Sequence, residues 1–307
     1  MAQKHTCSIG LHISGNTITY VQYCPESSMV AAAGIRHIIA LPDANKNNAD
    51  YTKTVQTVVS ACSNKNTAVV FSLPVTQTQI KIMSLDRDEK NVHNVIELEL
   101  GLHVTGTIEN YMFDYFALEQ DSAADTVQHY LVAAYSADAV KKLISYAGSK
   151  KNSAVIVDVD AFALINMFES AYPELSNKPA IIISGDITST TIVVSQNGRY
   201  TDSDYFLYEK NILSKPADYA ELLAGCLSRL GIRSSDMAGD VAVCCAGELF
   251  TAVDAFAAVG FKFPQAFLME PFRAVKTAVS VREMVSAQQA PQFAVAMGLA
   301  LHGTMER

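Results

Sequence analysis

Two strings in this chain nearly repeat each other. His12-Ile13-Ser14-Gly15-Asn16-Thr17-Ile18 lies near the start, and Asp186-Ile187-Thr188-Ser189-Thr190-Thr191-Ile192 lies just past the middle. Both have the form x-Ile-[Ser/Thr]-x-x-Thr-Ile in strand-like surroundings, so each reads as the tip of a strand–turn–strand unit. A motif that opens each half of a 307-residue chain predicts a duplicated, two-lobed fold.

The segments between these hairpins have distinct rhythms. Residues 67–73 form a short buried strand that Pro74 stops, after a polar, flexible stretch at 43–51. A different pattern follows: a strand at 79–85, a helix at 88–102, strands at 110–118 and 128–135, and a helix that Ser136 can cap. That β-α-β-β-α order predicts a compact α+β subdomain. A buried strand at 153–159 leads into a helix that Asp160 can cap, and Asn177-Lys178-Pro179 marks a hinge. The second half supplies strands at 180–184 and 190–195, an Asn197-Gly198 turn and a helix at 217–230 ended by Gly231. A buried strand at 240–246 and an apolar closing helix at 292–301 complete it. The expected division is 1–79 with 151–178 and 291–307 as one lobe, 80–150 as the insert, and 179–290 as the other lobe.

Composition removes several classes of function. Half of the residues are hydrophobic and 18% are charged, which is enough apolar side chain for a real core. The net charge of -8, with no basic run beyond Lys150-Lys151, argues against a broad nucleic-acid surface. No window holds about 18 uninterrupted apolar residues, and the start lacks a signal-peptide pattern. The six cysteines form no C-x-x-C pair and the seven histidines no H-x-x-x-H pair, so no metal centre is expected. The cysteines read as reduced core residues of a cytoplasmic protein.

Longer strings carry a family resemblance. Val155-Ile156-Val157-Asp158-Val159-Asp160-Ala161-Phe162-Ala163-Leu164, Met269-Glu270-Pro271-Phe272, and Phe293-Ala294-Val295-Ala296-Met297-Gly298-Leu299-Ala300-Leu301 occur in that order. Together with the strand at 110–118, they resemble the PilM-type pilus-assembly proteins of the actin-like superfamily. The cell-division FtsA proteins share the layout but match these strings less well. The resemblance implies an α/β, two-lobed actin-like fold (actin/Hsp70-type, ribonuclease H-like) with the small α+β subdomain inserted. It implies a cytoplasmic protein, peripheral to the inner membrane through a partner. That partner would be the N-terminal tail of a PilN-like membrane protein in the inner-membrane platform of type IV pilus assembly. It also implies a cleft in which two glycine-containing hairpins offer backbone N–H groups to the phosphates of ATP. Hairpin aspartates would hold Mg²⁺ through water, and a Gly-Gly turn would admit the adenosine.

If nucleotide binds, the residues that carry over are Ser14, Gly15 and Asn16, then Asp186, Thr188, Ser189 and Thr190, then Ala246 and Gly247. The motifs are degenerate. Where the first hairpin calls for Asp-x-Gly, this chain has His12-Ile13-Ser14, and an imidazole cannot replace a carboxylate beside Mg²⁺. The second hairpin keeps either the acid (Asp186-Ile187-Thr188) or the glycine (Ser184-Gly185-Asp186), depending on register. The adenosine turn, Cys245-Ala246-Gly247, retains one glycine. These departures favour a non-hydrolysing scaffold, with no bound cofactor and no catalytic residues, over a nucleotide-switched ATPase. A sugar kinase of the same superfamily fits less well, because neither intact phosphate hairpins nor a substrate-side catalytic Asp is evident.

Other candidates have plain structural readings. His12 is expected to be a hydrogen-bonded structural residue, Asp160 a helix cap, and Asp158 a solvated or hydrogen-bonded edge residue. Tyr111, Phe113 and Tyr115 share one face of a strand; that face is either an aromatic surface for the partner peptide or ordinary core.

Overall fold

The computed structural model describes residues 6–38, 44–62, 66–119, 126–148, 154–232 and 241–304. Lys150-Lys151 and the expected strand start at Asp240 lie outside them. The chain opens with a meander, β1 (Cys7–Ser14), β2 (Thr17–Cys24) and β3 (Met29–His37), then α1 (Ala44–Cys62) and β4 (Thr67–Leu73). Next come β5 (Thr78–Asp86), α2 (Val92–Gly101), β6 (Tyr111–Ala117), β7 (Val127–Ser136), α3 (Ala137–Ala147), β8 (Val155–Val159) and α4 (Asp160–Ala171). The second half runs β9 (Ala180–Gly185), β10 (Ser189–Gln196), β11 (Arg199–Leu207), α5 (Pro216–Arg229), β12 (Ala242–Ala246) and α6 (Val253–Lys262). It ends with β13 (Phe267–Leu268), β14 (Lys276–Thr277), α7 (Val279–Met284) and α8 (Ala294–His302).

The sheets show the duplication. One has the order β14-β3-β2-β1-β4-β8 and the other β11-β10-β9-β12-β13. Without β14 the two orders are the same: an antiparallel meander, then two strands added in parallel. In both, β-branched and aliphatic runs fill the central strands, as strands covered on both faces require. A third sheet, β5-β7-β6, is separate, with α2 on one face.

Helices α4 and α8 lie between the lobes. Their apolar faces join residues of β2 and β3 to residues of β9, β10 and β12 in one continuous core. The contact is close because glycine makes it so. A Cβ on Gly10 would lie 1.9 Å from the Ala296 carbonyl oxygen, and one on Gly298 would lie 1.9 Å from that of Ala163. Separate clusters fill the space under α1 and α3 and the space under α5 and α6.

Several expectations are corrected. Of the stretch at 43–51, Asp43 lies outside the described residues and the rest is not loop but the start of α1, whose buried stripe is Val55, Val58, Val59 and Cys62. Helix α3 packs with α1 against β1 and β4 rather than on the three-stranded sheet, and β14 joins the first lobe's sheet rather than the second's. Ser136 makes no side-chain cap, and Asp160 is the first residue of α4 rather than its cap. The cysteines are not all free: Cys7 and Cys24 form a disulfide, while Cys62, Cys226, Cys244 and Cys245 are buried thiols.

Candidate functional site

The tips of the two repeated hairpins face each other across a cleft of about 240 Å³ between the lobes. Each hairpin closes on a four-residue turn, residues 14–17 and 186–189. Counted from the turns, the partner of Asp186 is Ser14 and not His12, two residues away from the pairing that the repeated strings suggest. The Ser14 hydroxyl donates directly to Asp186 Oδ2 across the cleft. Each tip is also fixed from behind by a tyrosine. The Tyr51 hydroxyl on α1 donates to the Gly15 carbonyl. The Tyr208 hydroxyl donates to the carbonyls of Asp186 (2.6 Å) and Ser189 (2.7 Å).

Around this contact the lining is acidic and hydroxyl-rich. Asp160, Asp186 and Glu248 line it with His12, and among the described residues no Lys or Arg does so. Thr19 and Thr191, each more than nine-tenths buried, point their strand positions at it from β2 and β10. His12 Nδ1 pairs with Ser72 Oγ at 3.2 Å. Burial pushes the imidazole below its ordinary pKa, and the Asp186 carboxylate only partly offsets this. Asp160 Oδ1 accepts the Val75 amide at 3.0 Å, yet burial, together with Asp186 and Asp158, pushes its pKa up to about 7. Glu248 is raised by burial and then by Asp186. Among the described residues no group of three His, Cys, Asp or Glu side chains is placed to hold a metal ion.

Of the expected nucleotide residues, Ser14, Gly15, Asp186, Thr188, Ser189 and Gly247 come together on this cleft. Asn16 is an exposed turn residue outside the lining. Thr190 turns away, and its hydroxyl pairs with those of Tyr208 (3.1 Å) and Tyr219 (3.2 Å). Ala246 is buried in β12. Gly247, at φ +94°, serves the protein's own packing, since a Cβ there would lie 2.2 Å from the Gly185 carbonyl oxygen.

On the far side of α4 lies a second, larger concavity of about 870 Å³. Its walls are β6 and the outer face of β7, then β8 and α4, then the turn between β10 and β11. Phe116, Leu131, Tyr135, Val157, Phe162 and Tyr200 make it apolar, and the His302 Nδ1 and Asp158 Oδ2 atoms are hydrogen-bonded at its floor. Two contacts in its lining join the second lobe to its neighbours. Phe162 meets Tyr200 edge to face at 5.5 Å, and Arg199 pairs with Glu119. Strand β6 is at the edge of its sheet, so one side of its backbone has no neighbouring strand among the described residues.

Tyr111, Phe113 and Tyr115 lie on the face of β6 that α2 covers rather than on the exposed one. Phe113 stacks on His93 of α2 at 4.8 Å, and Tyr115 packs near His93 and Tyr130. The Tyr111 hydroxyl donates to the Thr105 carbonyl at 3.3 Å. Helix α2 needs an apolar platform, and this face supplies it. The alternate residues Met112, Asp114 and Phe116 are exposed, and Phe116, at 56% exposure, lines the groove; Tyr115 reaches it only at the strand edge.

The sequence profile of the family described as type IV pilus assembly protein PilM matches residues 28–201, more than half of the chain. The chain belongs to this PilM family. Its role is therefore in type IV pilus assembly. No curated protein sequence matches it. The fold is similar to that of the PilM–PilN type IV pilus biogenesis complex, at 14% identity over 97% of this chain and 98% of that one, with a TM-score of 0.73. A Bacteroides thetaiotaomicron protein with an actin-like ATPase fold and unknown function is 13% identical over 87% and 92%, with a TM-score of 0.51. The cytoplasmic domain of EpsL, an inner-membrane component of the Vibrio cholerae type II secretion system, is 11% identical over 98% and 97%, with a TM-score of 0.50. At these identities the likeness establishes the fold: this PilM-family chain is actin-like. No helix among its described residues is long and apolar enough to cross a membrane.

Sequence reasoning missed Tyr51 and Tyr208, which fix the hairpin tips, and Phe116, Arg199 and His302 in the groove. Phe116 had a signal, as the large apolar residue on the alternate face of β6. The others become visible only once the lobes are folded together.

Proposed function

We propose that this chain is a cytoplasmic scaffold of the inner-membrane pilus platform, and that its groove holds the N-terminal tail of a PilN-like membrane protein. The observation that carries this reading is the groove itself: lined by apolar side chains and bordered by β6, whose outer edge pairs with no strand among the described residues. Edge strands bind extended peptides by main-chain hydrogen bonds, with pockets for alternate side chains. A partner with a membrane anchor brings the scaffold to the membrane. The similar fold of a PilM–PilN complex supports the choice of partner. Residues 80–136 are proposed as the docking subdomain, set between lobes built on the six- and five-stranded sheets.

On this reading the cleft does not take Mg·ATP tightly. The described residues of the lining include no Lys or Arg for the phosphates, burial pushes the His12 imidazole towards its uncharged form, and Asp186 is already engaged by Ser14. The cavity is also smaller than the roughly 300–1,000 Å³ of sites that enclose drug-sized ligands. Isothermal titration with Mg·ATP is expected to show no sub-micromolar binding; such binding would return the chain to the nucleotide-switched class. The scaffold reading is tested by fluorescence anisotropy with a labelled peptide of the partner's N-terminal tail. Saturable binding that an unlabelled tail displaces is expected. A folded protein with no affinity for the tail would end this reading.

A further inference from the structure

The cleft and the groove lie on opposite sides of α4. Asp160, at its start, lines the cleft, while Phe162, two residues on, lines the groove. Both concavities are also bounded by both lobes. The cleft is spanned by Ser14 from β1 and Asp186 from the turn before β10. The groove is bounded by β6 and β8 on one side and by the Asn197-Gly198 turn with Arg199 and Tyr200 on the other. Any hinge movement about the shared core of α4 and α8 must therefore change both together. Two-lobed folds can close by hinge movement, and a ligand bridging two hairpins is one way to hold such lobes at one angle. Here the protein bridges them itself. Ser14 Oγ–H is bonded to the Asp186 carboxylate, and each tip is held by a tyrosine hydroxyl, so neither partner has to be ordered to make the bond.

We propose that the Ser14–Asp186 hydrogen bond is a built-in latch that holds the lobes closed without nucleotide and thereby pre-forms the groove for its peptide. The groove's occupant rests on the reading given above; the latch does not. A latched protein presents the binding-competent state as its ground state, and losing the latch lowers the competent fraction and the apparent affinity with it. A bond from a hydroxyl to a carboxylate is of the size that shifts such an equilibrium about tenfold.

The test compares wild type with Ser14→Ala and Asp186→Ala. Two conservative variants accompany them: Ser14→Thr keeps the hydroxyl, and Asp186→Asn keeps an oxygen that accepts it. Hydrogen exchange is read by mass spectrometry at residues 14–17, 186–189 and 196–200, and the affinity of the labelled tail peptide is measured alongside. Both alanine variants are expected to exchange faster at all three places and to bind the tail about tenfold more weakly. The two conservative variants are expected to stay near wild type, and added Mg·ATP is expected to leave the wild-type pattern unchanged. Unaltered exchange in both alanine variants overturns the latch, as does protection of both hairpin turns by Mg·ATP. Faster exchange at the hairpins with unchanged tail affinity overturns the coupling to the groove. If the tail binds no variant, wild type included, the partner reading fails while the exchange data still decide the latch. Circular dichroism separates a folded but unlatched protein from one that has lost its fold.

Discussion

Asp160 is a carboxyl group in a place that penalises its charge. It is 7% exposed, and burial is the main reason its pKa stands near 7 instead of 3.8; the amides of Val75 and Ala161 pull the other way without prevailing. The folded chain thus keeps a proton that the unfolded chain has lost between about pH 4 and pH 7. Stability falls as pH rises through that window and levels off above it. Asp160→Asn retains an oxygen for the Val75 amide and has no charge to bury. It is expected to match wild type near pH 4 and to be more stable by about 2 kcal/mol at pH 8, measured from urea midpoints. Equal midpoints at both values would mean that the carboxylate ionises there at no cost. The same residue shows where sequence falls short. An Asp at the start of an apolar helix is an ordinary cap signal, and only the approach of the 74–77 segment converts it into an acceptor inside the cleft.

At the scale of elements, β6 makes the sharpest distinction, because its two faces do different work. Phe113 supports α2, so Phe113→Ala is expected to cost about 2 kcal/mol of stability. Phe116 lies on the opposite face and is more than half exposed. Phe116→Ala is expected to change stability by less than about 0.5 kcal/mol and to weaken the tail peptide about thirtyfold. Denaturant midpoints and anisotropy on the two variants check this, and the reverse assignment would place the docking face against α2. The period of two was plain in the sequence, and it correctly grouped Tyr111, Phe113 and Tyr115. It could not say which group faces inward, because that depends on α2 folding back over the sheet. Other features were within reach. A turn at Gly15-Asn16 fixes the register of β1 and β2, and that register sets Cys7 opposite Cys24. Val55, Val58, Val59 and Cys62 have helical spacing, hidden by the polar start of α1. Helix α8 was legible as an apolar run, but its intimacy with α4 was not. Gly298→Ala is expected to cost about 3 kcal/mol, since the carbonyl of Ala163 occupies the space of the new methyl group. A variant of unchanged melting temperature would show that α4 and α8 can move apart freely.

The whole molecule combines two lobes of the same strand order with a small unit of different character. The lobes share one core through α4 and α8, so they are expected to unfold together. The three-stranded unit depends on a far smaller cluster, centred on Met83, Ile96, Leu100, Val132 and Ala134, and among the described residues no strand pairs with the outer edge of β6. Few buried contacts and an open edge are the conditions for local opening at less than the global free energy. Native-state hydrogen exchange is expected to show α2 and β6 opening before β1, β4, β9 and β12, which lie in the centres of the large sheets. Strand β7 joins this ranking in between. It pairs on both sides, and Leu131 on its outer face packs into the shared core of the lobes. Saturating tail peptide is expected to slow exchange in β6 most of all, because added main-chain pairing would protect that edge directly. Uniform exchange across all three sheets would mean that the small unit is no separate folding element. Protection spread evenly over both lobes, with none in β6, would place the peptide somewhere other than the groove.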